Sequence, residues 1–559
     1  MLRAATSDLS FGISPAALLL AAGDWVAHLA SMPGQRAALA ARWVDDVGRL
    51  ARWASRAPLD HAAGPWDVAP HDSRFRDPRW GDWPFNVYVQ SFLCVEQWWH
   101  AATTGVRGVS AHHEKVVDFV ARQFLDVWSP SNFPWTNPEV VDRTMRDGGL
   151  NFARGAANWF EDAASVLMGQ PPPGASAFRV GEHVAITPGR VVLRNELIEL
   201  IQYAPTTDKV HPEPILLVPA WIMKYYILDL SPKDSLVKYL VDQGHTVFAI
   251  SWKNPDSGDR DLGMEDYFER GLMAAIDAVS SALPGSSIHV AGYCLGGTLT
   301  AIGAAAMARD GDHRLGSMTL FAAQTDFSEP GELALFVDES QVAFLEDVMA
   351  RRGYLSGQQM AGAFQLLRSI DLIWSRAVRE YLLGERPPMS DLMAWNADST
   401  RMPARMHAEY LERLYLRNEL SNGRYAARGR PVALADIRLP IFCVGTTTDH
   451  VAPWRSVYKL HLFTETEITF VLTTGGHNVG VVNPPGSPHR FWMRTRDGDG
   501  AYEPPEDFQR DAREIQGSWW PAWQDWLAAR SGDPVAPPAL GLPGKPVLEA
   551  APGRYVRER

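Results

Sequence analysis

An α/β fold built on a mostly parallel sheet, covered by helices on both faces, is the architecture this sequence predicts. Three features carry that prediction. Short β-branched and apolar runs alternate with helical patterns from about residue 190 onward. One of these runs ends in a glycine-flanked cysteine and passes straight into a helical pattern, and two later runs end in loops that carry an aspartate and then a histidine.

Taken in order, residues 1–180 read as mainly helical, with periodic stretches at 15–29, 35–57 and 87–104 between loops rich in Pro and Trp. The segment QPPPG at 170–174 cannot continue a helix and marks a boundary. The expected domains are therefore a helical N-terminal domain, 1–180, and an α/β domain, 181–559. Strand-like runs follow at 191–203, 215–220, 246–252, 287–293, 317–323, 441–444 and 468–473. Between 326 and 435 the alternation lapses into helices and loops, too long for a connector, so a helical cap over the site is expected there. The stretch SWWPAWQDWLAARS reads as a docked amphipathic helix, and the tail from 533, rich in Pro, Gly and Ala, as loosely ordered.

Composition narrows the function. A 559-residue chain with 46% hydrophobic and 21% charged residues and 21 tryptophans is neither disordered nor of low complexity. Lys+Arg 53 against Asp+Glu 65, a net charge of -12, lacks the basic excess of a protein held to phosphate backbones, so nucleic acid is not an expected partner. Cys94, Cys294 and Cys443 are the only cysteines; an odd number at these spacings fits neither a disulfide framework nor a metal site and indicates a reducing compartment. The apolar run at 15–22 is too short to span a bilayer and lacks a basic leader and a cleavage site. No run reaches the roughly 18 apolar residues of a transmembrane helix, so the chain is read as cytoplasmic, with only peripheral contact to lipid or polymer.

The strongest local signal is VAGYCLGGT at 290–298, a nucleophile elbow with Cys294 where serine is common. Its glycines are needed because a strained strand-to-helix turn brings backbone close to its neighbours. Cys294 then sits at a helix N-terminus, where the dipole favours thiolate and the Leu295 amide points to a forming oxyanion. The run 441–444 leads to Asp449 and the run 468–473 to His477, giving the chain order nucleophile, acid, histidine of α/β-hydrolases. Taken singly, each residue reads as well otherwise: a buried cysteine, a turn aspartate capping the helix near Trp454, a histidine in a Gly-rich loop. Their joint order outweighs those readings. His450 is a weaker rival base. A second oxyanion donor is expected from the loop after the 215–220 run, at the backbone amides of Trp221 and Ile222. AHHEK at 111–115 shows no ligand spacing, and neither metal nor cofactor is expected.

These residues and several longer motifs resemble the poly(3-hydroxyalkanoate) synthases, from about residue 77 onward. The motifs are TNPEVVDRTMRDGGLNFARGAANWFED, KYYILDLSP, SWKNPD, GYCLGG, WNADSTRMP, DHVAPWRSVYK, GHNVGVVNPPG and the ending APGRYVRER. The resemblance implies an α/β-hydrolase fold with a helical cap, an acyltransferase that polymerises (R)-3-hydroxyacyl-CoA into polyester with release of CoA, Cys294 as acylated nucleophile, His477 as its base and Asp449 as third member. It also implies a homodimer, association with the polymer granule, and roles for the N-terminal region and cap in dimerisation and access. Tyr293 and Leu295 beside the nucleophile are similar to the short-chain class. Met223 departs from the family, where many members carry Asn. Because polymerisation must activate both a thiol and an alcohol, Asp449 is expected to help deprotonate the attacking 3-hydroxyl as well as to serve His477. The competing readings are a thioesterase or depolymerase using the same three residues, and a non-enzymatic granule protein.

Overall fold

The apolar runs after residue 188 assemble into one eleven-stranded mixed sheet in the computed structural model, which describes residues 13–58, 63–70 and 72–559. The strands are β1 Gly189–Arg194, β2 Ile198–Tyr203, β3 Ile215–Val218, β4 Val247–Trp252, β5 Ile288–Tyr293, β6 Leu315–Phe321, β7 Ile441–Thr446, β8 Ile468–Thr473, β9 Arg490–Arg496, β10 Arg513–Gln516 and β11 Glu549–Ala550. Across the sheet their order is β10-β9-β8-β7-β6-β5-β3-β4-β2-β1-β11. From β4 to β8 neighbours pair parallel, and both flanks are antiparallel. The α/β fold class expected from the sequence is the one observed.

Strand periodicity divides the core between the two faces. Leu216, Ile250, Ile441 and Cys443 join the layer that contains Leu299 and Ile302 of the helix after β5, while Leu217, Ala249, Phe442 and Val444 join the layer of Trp519 and Trp523. The tryptophans come from the helix Trp520–Ala528 and the residue before it. Three of the buried indoles find acceptors: Trp519 donates to Gly480 O at 2.9 Å, Trp520 to Val481 O at 3.0 Å and Trp523 to Thr319 Oγ1 at 3.0 Å. The docked helix thus braces the loop that follows β8.

Three details depart from the sequence reading. The run 191–203 is two strands, because Asn195 Oδ1 accepts from the N–H groups of Leu197 and Ile198 at 2.9 and 2.8 Å and turns the chain into a hairpin. Strands β9 and β10, at one side of the sheet, were not expected, since charged residues interrupt any apolar run in both. The tail from 533 is not loosely ordered: Val535 and Val210 exchange backbone hydrogen bonds at 2.8 Å, and β11 pairs with β1.

The chain forms two compact units, Met1–Pro173 with Ala361–Pro388, and Gly174–Met360 with Met389–Arg559. Residues 1–12 of the expected helical domain lie outside the described residues. The first unit contains α1 Pro15–Ala30, α2 Pro33–Ala54, α3 Phe85–Thr103, α4 Ala111–Val127, α5 Pro138–Asp147 and α6 Leu150–Leu167. Capping explains their limits: Ser14 and Ser110 accept from first-turn amides of α1 and α4, and Asn137 caps α5, which Gly148 closes in a left-handed conformation. Part of the stretch expected to be cap, 361–388, belongs to this unit. A Cβ at Gly155 would lie 1.8 Å from Tyr381 O, so only glycine lets α6 approach it, and the amides of Asn151 and Asn158 donate to Leu382 O and Glu380 O. No single helix among the described residues is long and apolar enough to cross a membrane; α1 and α2, bent by 92°, reach that length only as a pair.

Burial sets a pH dependence in the second unit. It pulls His245 and His461 down to about 3 and His289 and His407 down to about 4. In the unfolded chain these groups bind protons near pH 6.5, so between there and pH 4 the unfolded state holds more protons and stability falls as pH falls. Buried Asp229, pushed up to about 6, works in the opposite sense. The histidines outnumber it, each contributing up to about 1.4 kcal/mol per pH unit. Urea unfolding followed from pH 7 to pH 4 is expected to show a steady loss of stability, reduced in His407→Leu.

Candidate active site

Four loops at the carboxyl ends of β3, β5, β7 and β8 carry every site residue expected from the sequence. Strand β5 is buried throughout and ends at Cys294, whose φ of 53° and ψ of −126° are strained for any residue other than glycine. The helix α7, Leu295–Asp310, starts at the next residue. The glycines around the turn are steric necessities. A Cβ at Gly292 would stand 2.4 Å from Gly297 Cα, and one at Gly296 would stand 2.2 Å from Val218 O. Cys294 is partly exposed, whereas Cys94 and Cys443 are buried in cores, as expected. Leu295 is the first helical residue, so its N–H has no intrahelical acceptor.

Asp449 lies three residues beyond β7 and is held on every side. Its Oδ1 accepts from Val451 N at 2.9 Å and Ala452 N at 2.8 Å, and its Oδ2 from Thr446 Oγ1 at 3.2 Å and His477 Nδ1 at 2.8 Å. The carboxylate is fully enclosed. His477 follows β8 and lies close enough to Cys294 for the sulfur to act on its ring. Burial works against a charged imidazole there, but the Asp449 carboxylate and the Cys294 sulfur outweigh it and hold His477 well above the usual histidine range. His450, the rival base, points instead to Glu332, 3.6 Å away. In AHHEK, on α4, His113 pairs with Asp24 at 2.6 Å and Glu114 accepts from Gly105 N at 2.8 Å.

Sequence reasoning missed three contributors. The Tyr293 ring lies tilted against His477, centroids 5.4 Å apart, and its hydroxyl donates to Asn478 Oδ1 at 2.6 Å, so it fixes the histidine loop. Tyr410 and Tyr415, whose hydroxyls are 3.3 Å apart, are pushed well above the usual tyrosine range first by burial, and the Cys294 sulfur acts on both in the same sense, so both stand near it. A helical stretch containing tyrosines gave no signal of this. The loop after β3 carries Trp221, fully buried with its indole on Met406 Sδ at 3.3 Å, and Ile222, partly exposed.

This brings a cysteine on a strained turn, a histidine and a buried carboxylate hydrogen-bonded to that histidine to the same end of the sheet. The family model described as the N-terminus of poly-beta-hydroxybutyrate polymerase matches residues 71–240, and that of the alpha/beta hydrolase fold matches residues 213–484. A poly(3-hydroxyalkanoate) polymerase of Methylorubrum extorquens is 42% identical over 491 residues, 87% of this chain and 81% of the relative. Those of Rhizobium meliloti and Cupriavidus necator are 38% identical over 514 residues and 36% identical over 546, covering 91% and 96% of this chain and 83% and 90% of the relatives. With relatives of this identity along most of its length and an α/β-hydrolase fold, the chain belongs to the poly(3-hydroxyalkanoate) polymerase family of acyltransferases.

Proposed function

We propose that this enzyme polymerises (R)-3-hydroxyacyl-CoA, with short-chain monomers such as 3-hydroxybutyryl-CoA, through an acyl group carried on Cys294. The observation that carries the reading is Cys294 on a strained elbow beside His477, whose Nδ1 is hydrogen-bonded to the enclosed Asp449 carboxylate. His477 takes the thiol proton and the thiolate attacks the thioester carbonyl. The oxyanion that forms is met by the amides of Leu295 and Ile222. As the tetrahedral species collapses, its bond to the CoA sulfur breaks and His477 returns the proton to that sulfur. His477, again neutral, accepts the proton of the 3-hydroxyl of an incoming hydroxyacyl-CoA, whose oxygen attacks the Cys294 thioester; the bond to the Cys294 sulfur breaks, His477 returns the proton to that sulfur, and the lengthened chain, now a CoA thioester, reacylates Cys294 by the first step with release of CoA. The substrate is itself the CoA thioester, so no cofactor is part of the reading.

Enclosure of the Asp449 carboxylate favours an orienting role over contact with the alcohol, unlike the role expected from the sequence. The apolar shell of Tyr293, Tyr410 and Tyr415 supports short monomers and keeps water from the acyl-enzyme. We further assign to the enzyme a cytoplasmic location at the polyester granule, as a homodimer. The exposed Leu19, Phe124, Trp128, Trp135 and Leu167 of the first unit support an apolar contact of this kind. Incubation with 3-hydroxybutyryl-CoA, following free CoA and turbidity together, tests the reaction. Polymerisation gives both signals in step; CoA release with soluble 3-hydroxybutyrate and no turbidity would identify a hydrolase.

A further inference from the structure

The ending APGRYVRER is tied into the loop that carries Ile222. Lys224, two residues further on, has a side chain only 4% exposed. Its ammonium donates to Val556 O at 2.6 Å and Glu558 O at 2.5 Å and pairs with Asp398 Oδ1 at 3.3 Å, which uses all three of its N–H donors. Burial lowers its pKa, and Asp398 offsets part of that. A lysine is costly to bury, so saturation of its donors marks a built junction.

Both sides of the junction are anchored independently. On one side, Glu199 of β2, fully buried, accepts from Arg554 N at 2.9 Å and Tyr555 N at 3.0 Å, and Tyr555 donates to Asn195 O at 2.5 Å. Asn254 N donates to Glu558 Oε2 at 3.1 Å. On the other, Trp221 O accepts from Thr400 Oγ1 at 2.6 Å and Lys224 O from Trp395 Nε1 at 2.7 Å. Between the end of β3 and the short turn Tyr225–Leu228 the loop forms no strand or helix, only an isolated antiparallel bridge of Met223 with Ser399, so these side-chain ties and that bridge fix its backbone.

We propose that Lys224 is a positioning residue that locks the 221–224 loop to the 553–559 segment, holding the Ile222 amide where the oxyanion forms. The inference rests on the reading of Ile222 as an oxyanion donor. A displacement of about 1 Å in such a donor costs roughly 100-fold in rate, so a loop carrying one needs a rigid support.

Two variants test it in the full enzyme: Lys224→Met, and deletion of Val556–Arg559, which removes both carbonyl acceptors. Two rates are compared for each, with thermal melting to confirm folding. Alkylation of Cys294 by iodoacetamide needs the nucleophile but forms no oxyanion, and Cys94 and Cys443 are shielded by burial. Acylation by 3-hydroxybutyryl-CoA needs both. The expected result is alkylation within about twofold of the parent and an acylation kcat about 10- to 100-fold lower with KM little changed. Asp398→Asn, which leaves both carbonyl bonds in place, serves if the others fail to fold and is expected to lower acylation by a smaller factor. Unchanged acylation, or alkylation and acylation falling in parallel, would overturn the proposal. Normal turnover by Cys294→Ala would instead overturn the nucleophile assignment on which the reading depends.

Discussion

Cys294→Ala is expected to lose CoA release by at least about 10⁴-fold while melting within a few degrees of the parent. In the proposed mechanism the side chain carries the acyl group between steps, yet it is partly exposed and small, so its removal opens little space in either core. The strained backbone at position 294 is set by Gly292, Gly296 and the strand-to-helix turn rather than by the thiol, so alanine inherits the same conformation. Cys294→Ser is expected to retain little activity as well. A hydroxyl is far less acidic than a thiol, and a base matched to the thiol leaves serine protonated. Steady-state CoA release beside a melting curve checks both variants, and turnover by the alanine variant near the parent rate would remove Cys294 from the mechanism.

The second large effect is expected at Asp449. Its Oδ1 is fixed by the backbone N–H groups of Val451 and Ala452, so in Asp449→Asn the amide oxygen takes that place and the NH₂ faces His477. His477 Nδ1 must then accept, which puts the ring proton on the nitrogen that should receive the thiol proton. Acylation and elongation both need that nitrogen free, so the two steps are expected to slow together, by about 10² to 10⁴-fold. Brief exposure of the variant to 3-hydroxybutyryl-CoA followed by intact-protein mass spectrometry is expected to show mostly unmodified chain. A persistent short acyl adduct would show instead that Asp449 acts on the attacking alcohol.

The elements that proved legible share one property: their local sequence alone dictates their form. Strand β8 matches the run 468–473 residue for residue because it is buried on both faces and made of apolar and β-branched residues. The elbow at Cys294 was legible because the glycines it requires have no alternative. Strand β9 carries Arg490, Arg494 and Arg496 next to the sheet edge, where pairing with β8 on one side and β10 on the other decides the conformation, and no periodicity records either. The order of the last segment depends on Glu199 and Lys224, residues hundreds of positions away that became its partners only through the fold. Tyr410 and Tyr415 escaped notice for the same reason, since their approach to Cys294 is a property of how the chain returns after β6.

The most direct measurement is the location of the acyl group during turnover. The parent enzyme, quenched in acid shortly after mixing with 3-hydroxybutyryl-CoA and digested, is expected to yield the peptide containing Cys294 carrying one or more hydroxybutyryl units through a thioester that hydroxylamine removes. Polymer formation with that peptide always unmodified, or with the acyl group on another residue, would contradict a mechanism centred on Cys294.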